Sequence, residues 1–169
     1  RPIIKNITTP IGGIMGFTSG FGTGFAALIL ALAASPLMAA TDAPKAGADV
    51  EAVITGVRNA KGNVLVCLTA NAKAYPDCGK DPKSRKLALP ARATLTAKFE
   101  DVAPGTYAIA LIHDENGNNK MDVALFVPKE GFGMSRNPPV RMGPPTFKSA
   151  AFVVGVDPVK LPITMKYMF

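Results

Sequence analysis

The stretch "ATLTAKFEDVAPGTYAIALIH", residues 93–113, decides the fold class of this chain. In "ATLTAKF", apolar and polar side chains alternate residue by residue, because every second side chain of a β-strand points to the same face. That alternation predicts a strand with one buried face. After the turn residues "APG", the run "GTYAIALIH" is apolar on both faces and predicts a central strand. The stretch therefore predicts two strands of an all-β domain.

Other segments of the chain repeat this pattern. The C-terminal run "VKLPITMKY", residues 159–167, alternates again, and Pro162 within it predicts an edge strand because proline has no N–H to donate. The runs "VEAVITGV" and "NVLVCLTA" flank "RNAKG", which predicts a hairpin turn with Gly62 in its permissive position. Helical periodicity is weak after residue 40, with at most one helical turn in "TFKSAAF". About seven short strands predict an antiparallel Greek-key β-sandwich.

The N-terminal segment is typical of an export signal. Arg1 and Lys5 are the only charges before Asp42, and the apolar run "FAALILALAASPLMAA" ends in small residues at 39–40. We expect a signal peptide over 1–40, a linker over 41–48 and the β-sandwich domain over 49–169. An uncleaved membrane anchor over 20–40 is the alternative, since about 20 uncharged residues span a bilayer. Cleavage would place the domain in the periplasm or outside the cell, without stable membrane insertion.

Two cysteines and a mild positive charge limit the chemistry further. An exported Cys67 and Cys78 are predicted to form a disulfide that ties the loop "YPDCGKDP" to its strand. The alternative is one buried and one exposed thiol. The chain has 19 Lys and Arg against 12 Asp and Glu, with no basic run longer than two residues. We interpret this as a dispersed basic surface that weakly favours anionic partners, and no sequence motif indicates nucleic-acid binding.

Several segments together resemble a known bacterial family. "FEDVAPGTYAIAL" resembles the strand-turn-strand unit of transthyretin-like and carboxypeptidase-regulatory-like sandwiches. With "VRNAKGNVLVCL", "HDENGNNKMD", "PKEGFGMSRN" and "GPPTFKSAAF", the chain is similar to the family called domain of unknown function 2141 over most of 50–167. The resemblance implies an exported β-sandwich without an assigned activity. Three residues depart from the family pattern: Asn119 and Phe126 stand where glycine is expected, and Met134 where an aromatic is common.

The stretch "HDENGNNKMD", residues 113–122, has the oxygen spacing of a calcium loop. Counted from Asp114, ligand positions 1, 3, 5, 7 and 9 are filled by Asp114, Asn116, Asn118, the carbonyl of Lys120, and Asp122. Position 6 holds Asn119 instead of glycine, and position 12 holds Leu125 instead of glutamate. The alternative is a metal-free loop in which Asn and Asp side chains bond their own backbone amides. No other cofactor is expected.

Two further hypotheses concern residues after the central strand. His113, the only histidine, makes a hydrolase with Asp114 and Ser135 conceivable, but no nucleophile motif surrounds that serine, and we expect a structural histidine. The Pro/Gly-rich segment 126–145 carries Phe132, Met134, Arg136 and Arg141. It predicts either a binding surface or a cover for the core. We therefore expect a non-enzymatic exported module that binds an unidentified protein or small ligand through loops 113–145. The alternative is a calcium-stabilised module of the cell envelope.

Overall fold

The computed structural model describes residues 46–141 and 143–169, which contain ten strands, one 3₁₀ turn (Cys78–Lys80) and one helical turn, α1 (Phe147–Ala150). The predicted signal peptide and residues 41–45 of the predicted linker lie outside the described residues. The strands are β1 (Ala48–Thr55), β2 (Asn63–Thr69), β3 (Arg85–Pro90), β4 (Thr94–Val102), β5 (Gly105–Asp114), β6 (Val123–Ala124), β7 (Val127–Pro128), β8 (Gly131–Met134), β9 (Phe152–Val154) and β10 (Val159–Thr164).

The strands form three sheets. One has the order β10-β1-β4, the second has the order β3-β2-β5-β8 with β9 also paired to β5, and the third is the small hairpin β6-β7. The all-β prediction is confirmed. The expected number of about seven strands is too low, because three of the ten strands contain only two or three residues. One pairing also departs from the antiparallel prediction, since β10 runs parallel to β1.

The two larger sheets share one hydrophobic core. The alternating residues Ala97 and Phe99 of β4 and Ile163 of β10 are buried, and they belong to the same cluster as Val64 of β2 and Ile109 of β5. Pro162 lies in β10, at the edge of its sheet, as predicted. The alternation of the sequence therefore places one face of each sheet in this core.

The segment "RNAKG" is not a hairpin turn. Its flanking strands β1 and β2 belong to different sheets, so the chain crosses here from one sheet to the other. Gly62 does have a positive φ of +63°, as the turn prediction required. A side-chain carbon at Gly62 would also overlap the carbonyl oxygen of Asp114. This glycine therefore permits close contact between the crossing and the end of β5.

The outer face of β5 is covered by a second, smaller hydrophobic cluster. It contains Ala108, Ala110, Phe132 and Met134, and Phe147 packs against it. Phe132 and Met134 are only 6% and 8% exposed, because β8 pairs with β5 and turns these side chains into the cluster. The prediction that both are displayed on a binding loop is wrong. Burial on both faces explains why β5 is apolar throughout.

Candidate functional site

The loop 114–122 (the polar loop) folds around the side chain of Asp114. This residue ends β5, is fully buried, and accepts three backbone hydrogen bonds. Its Oδ1 accepts from the amides of Gly117 and Asn118 at 2.8 and 3.1 Å, and Oδ2 accepts from Asn119 at 2.8 Å. A buried carboxylate needs such partners, since an unpaired one would carry a large desolvation cost. Asp114 therefore determines the path of the whole loop.

The remaining polar side chains of the loop bond to one another. The Asn116 and Asn118 side-chain oxygens accept from the amides of Asn118 and Lys120. Both side-chain amides donate to the Asp122 carboxylate, at 2.6 Å from Asn116 and 3.1 Å from Asn118. These bonds, from Asn118 first and Asn116 second, lower the pKa of Asp122. The Asn and Asp side chains thus bond within the loop, as the self-bonded alternative predicts.

The calcium pattern fits this loop in part. Asn119 has a φ of +61°, so position 6 adopts the left-handed conformation for which the family pattern has glycine, and asparagine tolerates it well. However, the oxygens of Asp114 already accept three N–H groups, and Leu125 at position 12 has no side-chain oxygen. Within residues 46–141 and 143–169, no three His, Cys, Asp or Glu side chains cluster as a metal group would. Asn116, Asn118 and Asp122 converge, but without a strong ligand set.

Glu130 connects the polar loop to the strand that follows it. Its side chain is 4% exposed, and its two oxygens accept from the amides of Glu115 and Asp122 at 3.2 and 3.1 Å. The amide of Lys129 also donates to the carbonyl of Asp122 at 2.9 Å. These bonds fasten both ends of the segment 115–130 to each other.

His113 is a fully buried residue with both ring nitrogens bonded. Nε2 donates to the carbonyl of Lys61 at 2.8 Å, because a carbonyl only accepts, and Nδ1 lies 2.8 Å from the hydroxyl of Tyr167. That hydroxyl also accepts from the backbone amide of Arg58 at 3.0 Å. The histidine joins the inter-sheet crossing, the central strand and the C-terminal segment.

A salt bridge lies next to this histidine, with a Glu115 carboxylate oxygen 3.7 Å from Nδ1 of His113. Arg58 donates to both oxygens of Glu115, at 2.8 and 2.6 Å, and its guanidinium lies 4.5 Å from the centre of the Tyr167 ring. Hydrogen bonding from Arg58 lowers the pKa of Glu115 to about 2 despite partial burial. The Glu115 carboxylate therefore points toward Arg58, and both of its oxygens accept hydrogen bonds from that guanidinium.

The three residues of the hydrolase hypothesis have separate partners. His113 bonds to Lys61 and Tyr167, and Asp114 bonds to its own loop. Ser135 is fully buried, where its hydroxyl donates to the carbonyl of Ala150 at 2.6 Å and accepts from the amide of Ile109 at 3.0 Å. The structure does not bring these side chains together as a nucleophile and its base.

The hairpin β6-β7 displays two large apolar side chains at its turn. Leu125 is 94% exposed and Phe126 is 99% exposed, and both have a positive φ, of 48° and 67°. We call these two residues the apolar tip. Sequence reasoning missed it because "VALFVP" contains no Gly or Asn to mark a two-residue turn. The one available signal was Phe126 in place of the glycine of the family pattern.

The segment after β8 covers the second cluster. Arg136 is exposed and donates to the carbonyl of Ala151 at 3.0 Å, and Arg141 is also exposed. An open depression of about 250 Å³ borders Arg141, lined mainly by Pro138, Pro139, Pro144 and Pro145. A second cavity next to Phe132 and Met134 holds only about 10 Å³, roughly one water molecule. Of the four residues predicted for a binding loop, only the two arginines remain at the surface.

At the end of the sheet β3-β2-β5-β8 that lies opposite the polar loop, Cys67 and Cys78 form the predicted disulfide, with Cα atoms 6.4 Å apart. The bond joins β2 to the 3₁₀ turn. Tyr75 in the same loop is buried and packs edge-on against Phe147, with ring centres 5.8 Å apart. Loop 71–84 is therefore held to the sheet by both covalent and apolar contacts.

Comparison with known proteins gave one match. The family model described as "Uncharacterized protein conserved in bacteria (DUF2141)" matches residues 52–161, more than half of the 169-residue chain. The match extends from β1 into β10 and includes the polar loop, the apolar tip and the disulfide. No curated protein and no solved structure matched the chain.

Proposed function

The chain belongs to the bacterial family DUF2141, and we propose that it is an exported, non-enzymatic β-sandwich that binds a partner molecule. The binding site lies in loops 113–145, with the apolar tip as its main contact. The common core of the two larger sheets supports a β-sandwich, and the resemblance of "FEDVAPGTYAIAL" favours the transthyretin-like kind. The partner is a protein with an apolar recess, because Leu125 and Phe126 project from the domain as exposed apolar side chains.

The apolar tip carries this proposal. Left-handed backbone conformation costs a non-glycine residue about 1–2 kcal/mol, and it is rare for bulky side chains. Leu125 and Phe126 both adopt it, and at 94% and 99% exposure neither side chain gains burial within the chain. Exposed apolar groups that do not help the fold are typical of interaction sites. The β6-β7 hairpin holds both residues in this conformation, and their side chains gain no burial among the described residues, so we assign their contact to a partner.

The support beneath the tip is rigid. The Asp114 and Glu130 carboxylates together accept five backbone N–H groups from the segment that carries the hairpin. A side chain that is held in place before binding loses less entropy when the complex forms. This arrangement favours a preformed binding element over a mobile loop.

One observation supports export. The disulfide between Cys67 and Cys78 is of a kind that persists in oxidising compartments outside the cytoplasm. Among the residues that the structure describes, no helix is long and apolar enough to span a membrane. The predicted signal peptide over 1–40 would deliver the domain to the periplasm or the cell exterior.

Site-specific photo-crosslinking in the native bacterium tests the proposal. A benzophenone derivative of phenylalanine replaces Phe126 and preserves its aromatic bulk. We expect a discrete adduct of higher mass, since the ring contacts the partner directly. The matched control carries the same group at Val156, which is 81% exposed but lies outside loops 113–145. Adducts that are absent at position 126, or identical at both positions, would contradict the proposal.

Calcium binding at the polar loop is the second candidate. The observation that favours it is the convergence of Asn116 and Asn118 on the Asp122 carboxylate, within 3.1 Å. If both amides turned over, their oxygens would face Asp122 and form part of a cage for a hard cation. With few carboxylates the affinity would be weak, on the order of 10⁻⁴ to 10⁻³ M.

A thermal melt with and without millimolar calcium separates the two candidates. A calcium-binding loop raises the melting temperature in calcium, and Asp122→Asn removes that rise. Asp122 is preferable to Asp114 for this test, because Asp114 supports the fold without any ion. No shift in wild-type protein would exclude a stabilising ion at this loop and leave the apolar tip as the candidate site.

A further inference from the structure

The positive charge of the domain is concentrated in one segment. Residues 73–98 (the basic segment) contain seven Lys or Arg and two Asp. The rest of the described chain, residues 46–72, 99–141 and 143–169, contains nine Lys or Arg and nine Asp or Glu. The net charge of the described domain therefore resides in 26 consecutive residues. The basic residues themselves are dispersed, as expected, but their excess over acidic residues lies in this segment.

The fold presents these charges along one edge. The basic segment comprises most of the disulfide-linked loop, the 3₁₀ turn, the edge strand β3 and the first part of β4. All seven basic side chains are exposed. Within the described ranges, no ion pair involves Lys73, Lys80, Lys83, Lys86 or Arg92. Most of these cations are thus available to an external anion.

The two acids of the segment do not neutralise them. Asp81 is 6% exposed, and its oxygens accept from the Thr69 hydroxyl at 2.6 Å and the Lys83 amide at 3.0 Å. Asp77 accepts from the amide of Gly79 at 2.9 Å, at the start of the 3₁₀ turn. Both carboxylates stabilise the backbone of the loop. They form no ion pair with the neighbouring lysines.

The loop is also rigid. The disulfide fixes Cys78 to β2, and Tyr75 packs against Phe147. Lys86 lies directly opposite Cys67 in the β2–β3 pairing. The cations are therefore carried by an edge strand and by a loop that is fixed to the sheet.

We propose that the basic segment binds a linear phosphate-bearing polyanion along the edge formed by β3 and the disulfide-linked loop. Several unpaired cations near one sheet edge match a polymer with repeated anionic groups, and binding is driven by release of condensed counterions. Two other anionic ligands, lipid bilayers and single-stranded nucleic acids, fit less well. Bilayers are bound by basic residues next to exposed apolar ones, and the segment has no fully exposed large apolar side chain. Single-stranded nucleic acids stack on exposed aromatics, and Tyr75 and Phe99 are buried.

The test measures binding of fluorescent medium-chain polyphosphate to the full chain at several salt concentrations. The variant Lys80→Ser/Lys83→Ser/Lys86→Ser removes three cations from the edge. We expect its affinity to fall by roughly tenfold or more at low salt. The slope of log affinity against log salt should fall by about 2, since each phosphate contact contributes about 0.7. The matched variant Lys61→Ser/Lys148→Ser/Lys160→Ser has the same net charge but an intact edge, and its affinity should change less than about twofold.

The possible results separate this proposal from its rivals. Equal losses in both variants would mean that net charge alone attracts the polymer, which overturns the proposal. Binding to vesicles of phosphatidylglycerol without binding to polyphosphate would identify a bilayer ligand and also overturn it. Self-association of the edge variant with unchanged polyphosphate affinity would assign the lysines to protecting the open edge of β3 instead. The apolar tip is untouched in both variants, so the proposed function is tested separately.

Discussion

The two ends of the sheet β3-β2-β5-β8 are built by different means. At one end, Asn63 pairs with Asp114, and side-chain hydrogen bonds hold the polar loop and support the apolar tip. At the other, Leu68 pairs with Arg85, and a disulfide holds a loop rich in lysine. One end presents apolar side chains and the other presents cations. The comparison shows that a single sheet positions two surfaces of different chemistry, each on a rigid support.

The largest expected effect is at the hydrogen-bonded end. Asp114→Ala leaves three backbone amides without a charged acceptor, which should lower the free energy of unfolding by about 3 kcal/mol. Urea unfolding followed by circular dichroism measures this. Asp157→Ala, at an exposed position, is the control and should change stability by less than about 0.5 kcal/mol. A loss below about 1 kcal/mol at Asp114 would mean that the loop does not depend on this carboxylate.

The second-largest loss of stability is expected from removing the disulfide, and its local effect should be confined to the end of the sheet that carries loop 71–84. Cys67→Ala/Cys78→Ala removes a cross-link between residues 11 apart in sequence, and should cost about 2–3 kcal/mol by freeing the unfolded chain. Amide hydrogen exchange should become faster over residues 71–84 and stay unchanged over 114–122. Faster exchange in both loops would show that the two ends are not independent.

The elements of the fold differ in how much the sequence reveals about them. The strand at "ATLTAKF" was predicted from local alternation, and the disulfide between Cys67 and Cys78 was predicted from export to an oxidising compartment. Both predictions were confirmed. The burial of Phe132 and Met134 depends on β8 pairing with β5, which lies outside any local pattern. The crossing at Gly62 also looked like a hairpin, because a positive φ suits both kinds of turn. The tip at Leu125 and Phe126 lacks the residues that normally mark a turn.

The same substitution should act in opposite directions at the two ends. The Tyr75 hydroxyl is the one buried side-chain polar atom in the described residues without a partner, and burial raises the pKa of Tyr75 to about 12. Tyr75→Phe should therefore stabilise the protein by about 1 kcal/mol. Tyr167→Phe removes bonds to His113 and Arg58, and should destabilise it by about 1–2 kcal/mol. Equal effects in thermal melts would contradict this contrast.

Low pH should lower the free energy of unfolding, because protonation of Glu115 breaks its salt bridge with Arg58. The Arg58 guanidinium lowers the pKa of Glu115 from 4.5 to about 2 in the folded state. The stabilisation is thus present above pH 4.5 and is lost as the pH falls toward 2. Arg58 is more than a third exposed, so we expect only about 1 kcal/mol. In Glu115→Gln, unfolding free energy between pH 5 and 2 should fall less than in wild type. Identical pH dependence in the two proteins would mean that the Arg58–Glu115 salt bridge does not stabilise the fold.

The smallest effect is expected at the apolar tip. Phe126→Gly removes the cost of holding a phenylalanine in the left-handed conformation, which should raise stability by about 1–2 kcal/mol. It also increases the conformational entropy of the unfolded chain, which should lower stability by about 0.5–1 kcal/mol. The net gain in stability should be about 0.5 kcal/mol, measured by urea unfolding. A clear loss of stability would mean that the Phe126 side chain supports the fold, and the tip would no longer require an external contact.

The most direct test of two separate surfaces is the yield of the adduct formed by the benzophenone side chain at position 126. It is measured in two backgrounds, Leu125→Ser and Lys80→Ser/Lys83→Ser/Lys86→Ser. We predict that the yield falls severalfold in the first, because the neighbouring apolar contact is lost, and stays at the wild-type level in the second. An adduct that persists in Leu125→Ser, or that disappears with the distant lysines, would contradict the assignment of the apolar tip as an independent binding surface.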